Sequence, residues 1–230
     1  MIALETPSGV TKQSADPRQA QNSWLIWQVG DSAFPTGGFA HSGGLEAAWQ
    51  HGEIRTRTDL HVFLRSQITQ CGYGPLPFVS QAHLEPDRLS EFDAAFDMFT
   101  TNHVANRASR LQGAAFLTAA ERAFHIRVTS PCRHLAPVFG ALLSSLSVDR
   151  HTCMRLFLFG QLRGAISSAV RLGIVGPLEA QAIQNSLATH AEDTFQKSTL
   201  LTLDDVTQTA PLADLWQGAH DRLYSRLFQS

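Results

Sequence analysis

Between Leu60 and Cys71 the apolar residues Leu60, Phe63, Leu64, Ile68 and Cys71 step by three and four, with only Gln67 off the pattern. That spacing predicts one buried face of an α-helix, with Thr58 as its cap. Gly72, Gly74, Pro75 and Pro77 then interrupt the pattern. A proline in the first helical turn loses no intrahelical hydrogen bond, so Pro75 or Pro77 can start the next helix. Pro86 opens a further segment with Leu89, Phe92, Phe96 and Phe99 on one stripe.

Three longer stretches, Ala105 to Phe124, His134 to Leu146 and Arg150 to Leu172, are rich in Ala, Leu, Arg, Gln and Glu, and Pro177 to Phe195 reads the same way. These residues lose least entropy in a helix. Gly173 and Pro177 frame a tight helix-to-helix connection, and Pro211 opens a last helix expected to run almost to Ser230. No stretch alternates with period two and no internal repeat is present, so a sheet of any size is not expected. The prediction is an all-α single domain of about eight to ten helices over residues 22–230, preceded by a mobile tail over residues 1–21.

Composition adds constraints. The 230 residues are 43% hydrophobic and 17% charged, enough apolar mass for one sizeable core and comparatively little charge to cover the surface. Such a surface tends to be covered by a partner. A net charge of −2 gives no overall field for phosphate backbones or anionic lipid, so neither nucleic acid nor membrane is an expected partner. Residues 1–21 lack the apolar core of a signal peptide, and no apolar run approaches the roughly 20 residues that span a bilayer. Cys71, Cys132 and Cys153 are sparse and form no CxxC pair, which fits buried thiols in a reducing, cytoplasmic compartment.

The densest signal runs from Asp31 through Pro35, Gly37, Gly38, His41, Ser42, Gly43 and Gly44 to Glu46. Four glycines and a proline in so short a stretch demand backbone shapes that few residues adopt. A phosphate loop is excluded by the missing Gly-Lys-Ser/Thr ending. Ala40-His41-Ser42-Gly43-Gly44 is a relaxed nucleophile elbow, which requires a strand before the turn; Trp24 to Val29 is the one candidate strand, and a serine hydrolase using Ser42 is the alternative function. Ten histidines form no metal-ligand motif, although His41 and His220 are the two to watch. Gly72-Tyr73-Gly74 is half of a dinucleotide fingerprint and reads as a turn. At the other end, Trp216, His220, Leu223 and Leu227 would share one helical stripe beside Tyr224 and Phe228, with Arg222 and Arg226 favourably placed at the helix C-terminus. Bulky apolar residues there need something to bury against, either the protein's own core or a partner.

Three segments together resemble the urease accessory protein F family (UreF): Asp31 to Glu46, Ser168 to Pro177, and His220 to Ser230. Ala108-Ser109 with Gln112-Gly113, and His134 to Gly140, are similar to it as well. Phe34 and Thr36 depart from the family's smaller or aliphatic residues. The resemblance implies an all-α accessory protein without catalytic residues that forms a homodimer, binds UreD (also called UreH) and recruits the GTPase UreG to deliver nickel to apo-urease. It implies no cofactor on this chain, since partners handle nickel and GTP. The partner-binding residues it implies are Asp31, Pro35, Gly37, Gly38, His41, Ser42, Gly44 and Glu46 of the first segment, and His220, Leu223, Tyr224, Arg226, Leu227 and Phe228 of the last, the latter engaging UreD.

Overall fold

The computed structural model describes residues 17–230, with side chains from Ser23. The expected tail over residues 1–21 therefore lies mostly outside the described residues, and its last five positions already belong to helix α1, Pro17–Gly30. The rest of the chain forms α2 Leu45–Gln50, α3 Arg57–Tyr73, α4 Pro75–Leu84, α5 Leu89–Phe99, α6 His103–Phe124, α7 Leu135–Ser145, α8 Arg150–Arg171, α9 Pro177–Ser186, α10 Ala188–Ser198 and α11 Pro211–Ala219, joined by short 3-10 turns. Among the described residues there is no strand, as the periodicity predicts. Among these residues, no helix is long and apolar enough to cross a membrane.

Local chemistry explains most boundaries. Thr56, not Thr58, caps α3, because Asp59 three residues on returns a bond to the Thr56 amide and completes a capping box. Asn102 and Asp149 cap α6 and α8 through their side-chain oxygens. Pro75, Pro177 and Pro211 each open a helix in its first turn. The stretch expected as one helix from Pro177 to Phe195 is two, divided at Leu187, whose amide is shared between the Ile183 and Gln184 carbonyls. No glycine or proline marks that break, which is why the pattern ran through it.

α7 lies at the centre. Its residues from Leu135 to Leu143 are buried without interruption, the signature of a helix that is apolar on every side and surrounded by others. It packs most closely against α4, and Gly140 permits the approach: a Cβ there would sit 2.1 Å from the Val79 carbonyl oxygen. α5, α6 and α8 complete the wall around α7, and α3 joins them in one main core. Cys71 and Cys153 are buried in it as thiols, and burial pushes the Cys71 thiol up to about 12, so it is an inert packing group.

The loop between α6 and α7 is organised by a group the periodicity does not reveal. Asp93, fully buried on α5, accepts from the amides of Cys132 (2.7 Å), Arg133 (2.9 Å) and His134 (2.9 Å) and from the Ser130 hydroxyl. His134 in turn bridges Ser109 and Asp97. A buried carboxylate with this many donors holds irregular backbone as firmly as secondary structure would.

Candidate functional site

The segment from Asp31 to Glu46 leaves α1 through a turn in which the exposed Asp31 carboxylate accepts from the Ala33 amide at 2.8 Å. Phe34 then drops into the core against Phe116 and Phe124, with ring centroids 5.8 and 5.9 Å away, so the departure from a smaller residue is absorbed by aromatic packing. Pro35 stays exposed. Gly37 adopts φ 71°, Gly38–Ala40 form a 3-10 turn, and Gly43 and Gly44 follow at φ 61° and 88° before α2 begins. Gly44 carries a double constraint: its φ disfavours any Cβ, and a Cβ would lie 2.9 Å from the Ala213 carbonyl oxygen and the Gln217 amide of α11. The motif thus turns the chain sharply and seats α11 on α2.

The segment after α11 is not the helix the apolar spacing predicted. α11 ends at Ala219, His220–Arg222 form a 3-10 turn, and residues 223–230 run without helical structure. The stripe of Trp216, His220, Leu223 and Leu227 therefore does not exist, and Arg222 and Arg226 do not sit on a helix terminus. The physical reason is a set of better acceptors supplied from far away in sequence. The Glu46 carboxylate, with 2% of its side chain exposed, accepts from the Leu227 amide at 2.6 Å, the Phe228 amide at 3.2 Å and His220 Nε2 at 3.0 Å. Gln229 donates its amide to the Ala40 carbonyl at 2.7 Å, and the Ser42 amide donates to the Ser230 carbonyl at 2.6 Å. Backbone groups that a helix would have paired with their own neighbours are paired with the glycine-rich turn.

The third segment closes the same site. Ser168 on α8 donates its hydroxyl to the His41 carbonyl at 3.4 Å. Arg171 donates to the Phe39 carbonyl and lays its guanidinium over the Phe228 ring, 4.3 Å from the centroid. Glycine-rich turn, end of α8 and segment 220–230, which the sequence holds far apart, form one structure whose clasp is Glu46.

Within it the candidate residues divide into two groups. His220, Phe228, Glu46, Ser42 and Gly44 are buried and hold the segments together. Leu223 is half-buried, and Tyr224, Arg226 and Leu227 are exposed; Phe39, on the glycine-rich turn, is 72% exposed and was not singled out by the sequence. His41 Nδ1 pairs with the Ser230 hydroxyl, and burial, then the positive charge of Arg107 and the neighbouring His220, bring His41 down to about 4. A cavity of about 430 Å³ lies behind the turn, with Gln67, Gln112 and Phe139 among its walls.

The arrangement does not build an acyl-transfer site around Ser42. Trp24 to Val29 is part of helix α1 rather than a strand. Ser42 is buried, its hydroxyl accepts from the Glu46 amide at 3.4 Å, and His41 is turned to Ser230. The strand-turn-helix geometry of a nucleophile elbow is missing. Among the described residues no group of three or more His, Cys, Asp or Glu side chains is placed to hold a metal ion.

A family model described as UreF matches residues 54–188, which run from the approach to α3 to the start of α10. The chain belongs to the UreF family of urease accessory proteins. It is similar to urease accessory protein F of Arabidopsis thaliana, 38% identical over 221 residues, covering 90% of this chain and 92% of that protein. It is 37% identical over 219 residues to the protein of the same name in Oryza sativa subsp. indica, covering 89% and 84% respectively. A bacterial relative, urease accessory protein UreF of Rhizobium leguminosarum bv. trifolii, is 30% identical over 208 residues, covering 86% and 92%. A role in urease maturation follows for this UreF-family chain. The matched family core is the helical body around α7, and the Glu46 clasp lies outside it.

Proposed function

We propose that the chain is a non-catalytic scaffold in the cytoplasm that joins UreD to the GTPase UreG while nickel is inserted into apo-urease, and that it works as a homodimer. Nickel and GTP are handled by the partners. The observation that carries this reading is the Glu46 clasp: a buried carboxylate fixes an irregular segment whose outer side chains, Tyr224 and Leu227, stay exposed. A segment needed only to fill the core would bury those side chains, whereas an interface presents a few preorganised aromatic and aliphatic anchors.

Co-purification with UreD tests it. Burying a Leu or Tyr side chain at an interface is worth roughly 1.5–3 kcal/mol, and about 1.4 kcal/mol is tenfold in affinity. The Tyr224→Ala/Leu227→Ala variant should keep the parent's helical circular dichroism and lose UreD by at least tenfold in affinity. Retention of UreD at the parent's affinity would remove this surface from the reading.

A further inference from the structure

We infer that the outward face of α6, together with residues 221–226, is an arginine-lined docking surface for a protein partner whose complementary face carries clustered carboxylates around an apolar centre. This rests on the accessory role proposed above and adds the chemistry of the partner's surface. His103, Arg107, Arg110 and Leu111 recur at helical spacing on α6 and are all exposed. Asp221 ties the two segments together: it receives a two-pronged fork from Arg107 at 2.8 and 3.1 Å, His103 Nε2 at 3.3 Å and Arg226 at 3.5 Å. One carboxylate thus faces two guanidiniums and an imidazole.

The nearby acid does not restore the balance. Asp97 stands 3.7 Å from Arg110, but it already accepts from Asn106 and from His134 Nε2, both at 2.9 Å. Arg222 is exposed and makes no ion pair among the described residues. Asp214 accepts from Asn102 at the start of α6, at 3.1 Å, so four arginines stand against three carboxylates and leave one positive charge in surplus on a chain whose formal net charge is −2. The cations are all arginine, whose planar fork suits directional pairing with carboxylates.

Apolar groups decide the class of partner. Leu111 (50% exposed) lies within the arginine row of α6, and Leu227 and Tyr224 flank Arg226. Exposed apolar side chains interspersed with arginines match the composition of a protein–protein interface, in which aromatic residues and arginine are enriched. A polyanion would need a longer basic track, and the chain's overall charge supplies no field to attract one.

The test uses the full chain and purified UreD, with affinity measured at about 100 and 500 mM NaCl, between which exposed charge pairs become largely screened. The Arg110→Glu/Arg222→Glu variant changes exposed residues outside the Asp221 fork, and Arg110→Lys/Arg222→Lys keeps the charge without the planar fork. Expected is a parent that weakens at least tenfold at high salt, a reversal variant already tenfold weaker at low salt and insensitive to salt, and a lysine variant in between. Equal affinity of parent and reversal variant at low salt overturns the inference alone. A folded parent that fails to bind UreD overturns the accessory reading and the inference with it. Reversals that abolish binding to duplex RNA or anionic vesicles while leaving UreD binding unchanged also overturn it.

Discussion

Glu46 shows how much one residue can decide. Its carboxylate is buried and satisfied by two backbone amides and an imidazole, so removing it leaves three donors without an acceptor in a dry site. Glu46→Ala is predicted to cost about 3–5 kcal/mol in urea unfolding, since each buried donor left without its acceptor costs about 1–3 kcal/mol. A loss below about 1 kcal/mol would mean that the segment 223–230 contributes little to the folded state. The family resemblance implied a partner-binding role for Glu46, and nothing in the sequence pointed to a buried clasp within the chain, because a lone glutamate is normally a surface residue. Its three partners lie more than 170 positions away, and no local pattern encodes such pairs.

His41 gives a pH signature at the same scale. Its folded value, about 4, lies below the ordinary histidine value of 6.5, so on acidification the unfolded chain takes up a proton that the folded chain refuses. Stability from this group is complete above pH 6.5 and is lost progressively as pH falls towards 4. Each unit is worth at most about 1.4 kcal/mol, and less once partial solvent exposure screens the site. The parent should therefore lose more Tm between pH 7 and 5 than His41→Gln. Parallel losses in the two proteins would show that His41 is not held uncharged.

At the scale of the elements, the glycines of the motif separate into two kinds. Gly43 has φ 61° and open space around its missing Cβ, so Gly43→Ala should cost only the backbone term, about 1 kcal/mol. Gly44 has φ 88° and backbone atoms of α11 at 2.9 Å, so Gly44→Ala must also push α11 off α2. Gly44→Ala should destabilise by several times as much as Gly43→Ala in denaturant titration; equal costs would show that α11 can move freely. The sequence made the four glycines of this motif look alike, because what distinguishes them is a helix that arrives some 170 residues later.

Helices with a clear stripe, such as α3 and α5, were legible because burial of one face imposes a period of three and four. α7 was legible from composition alone. The break at Leu187 was not, since all its residues tolerate helical backbone and only the sharing of one amide marks it. The end of α11 failed for a different reason. Leu223, Leu227 and Phe228 satisfy a helical spacing, yet long-range acceptors from the glycine-rich turn compete for the same amides and win.

For the whole molecule, a helical body around α7 holds most of the stretch matched by the family model, and one side of it is finished by a surface assembled from three distant segments. The segment 220–230 belongs to both the core and the surface. Phe228 is 5% exposed and His220 is fully buried, so removing everything after Ala219 should lower Tm as well as partner binding, and truncation cannot separate the two roles. Point changes on the outer side can.

The most direct measurement is urease activation in a reconstituted system of apo-urease, UreD, UreG, GTP and nickel, with Phe39→Ala/Tyr224→Ala/Leu227→Ala in place of the parent. These three side chains are exposed, and their removal should leave circular dichroism and Tm close to the parent's. The surface described here predicts a fall in activated urease of at least tenfold with the fold intact. Full activation by the folded triple variant would contradict it.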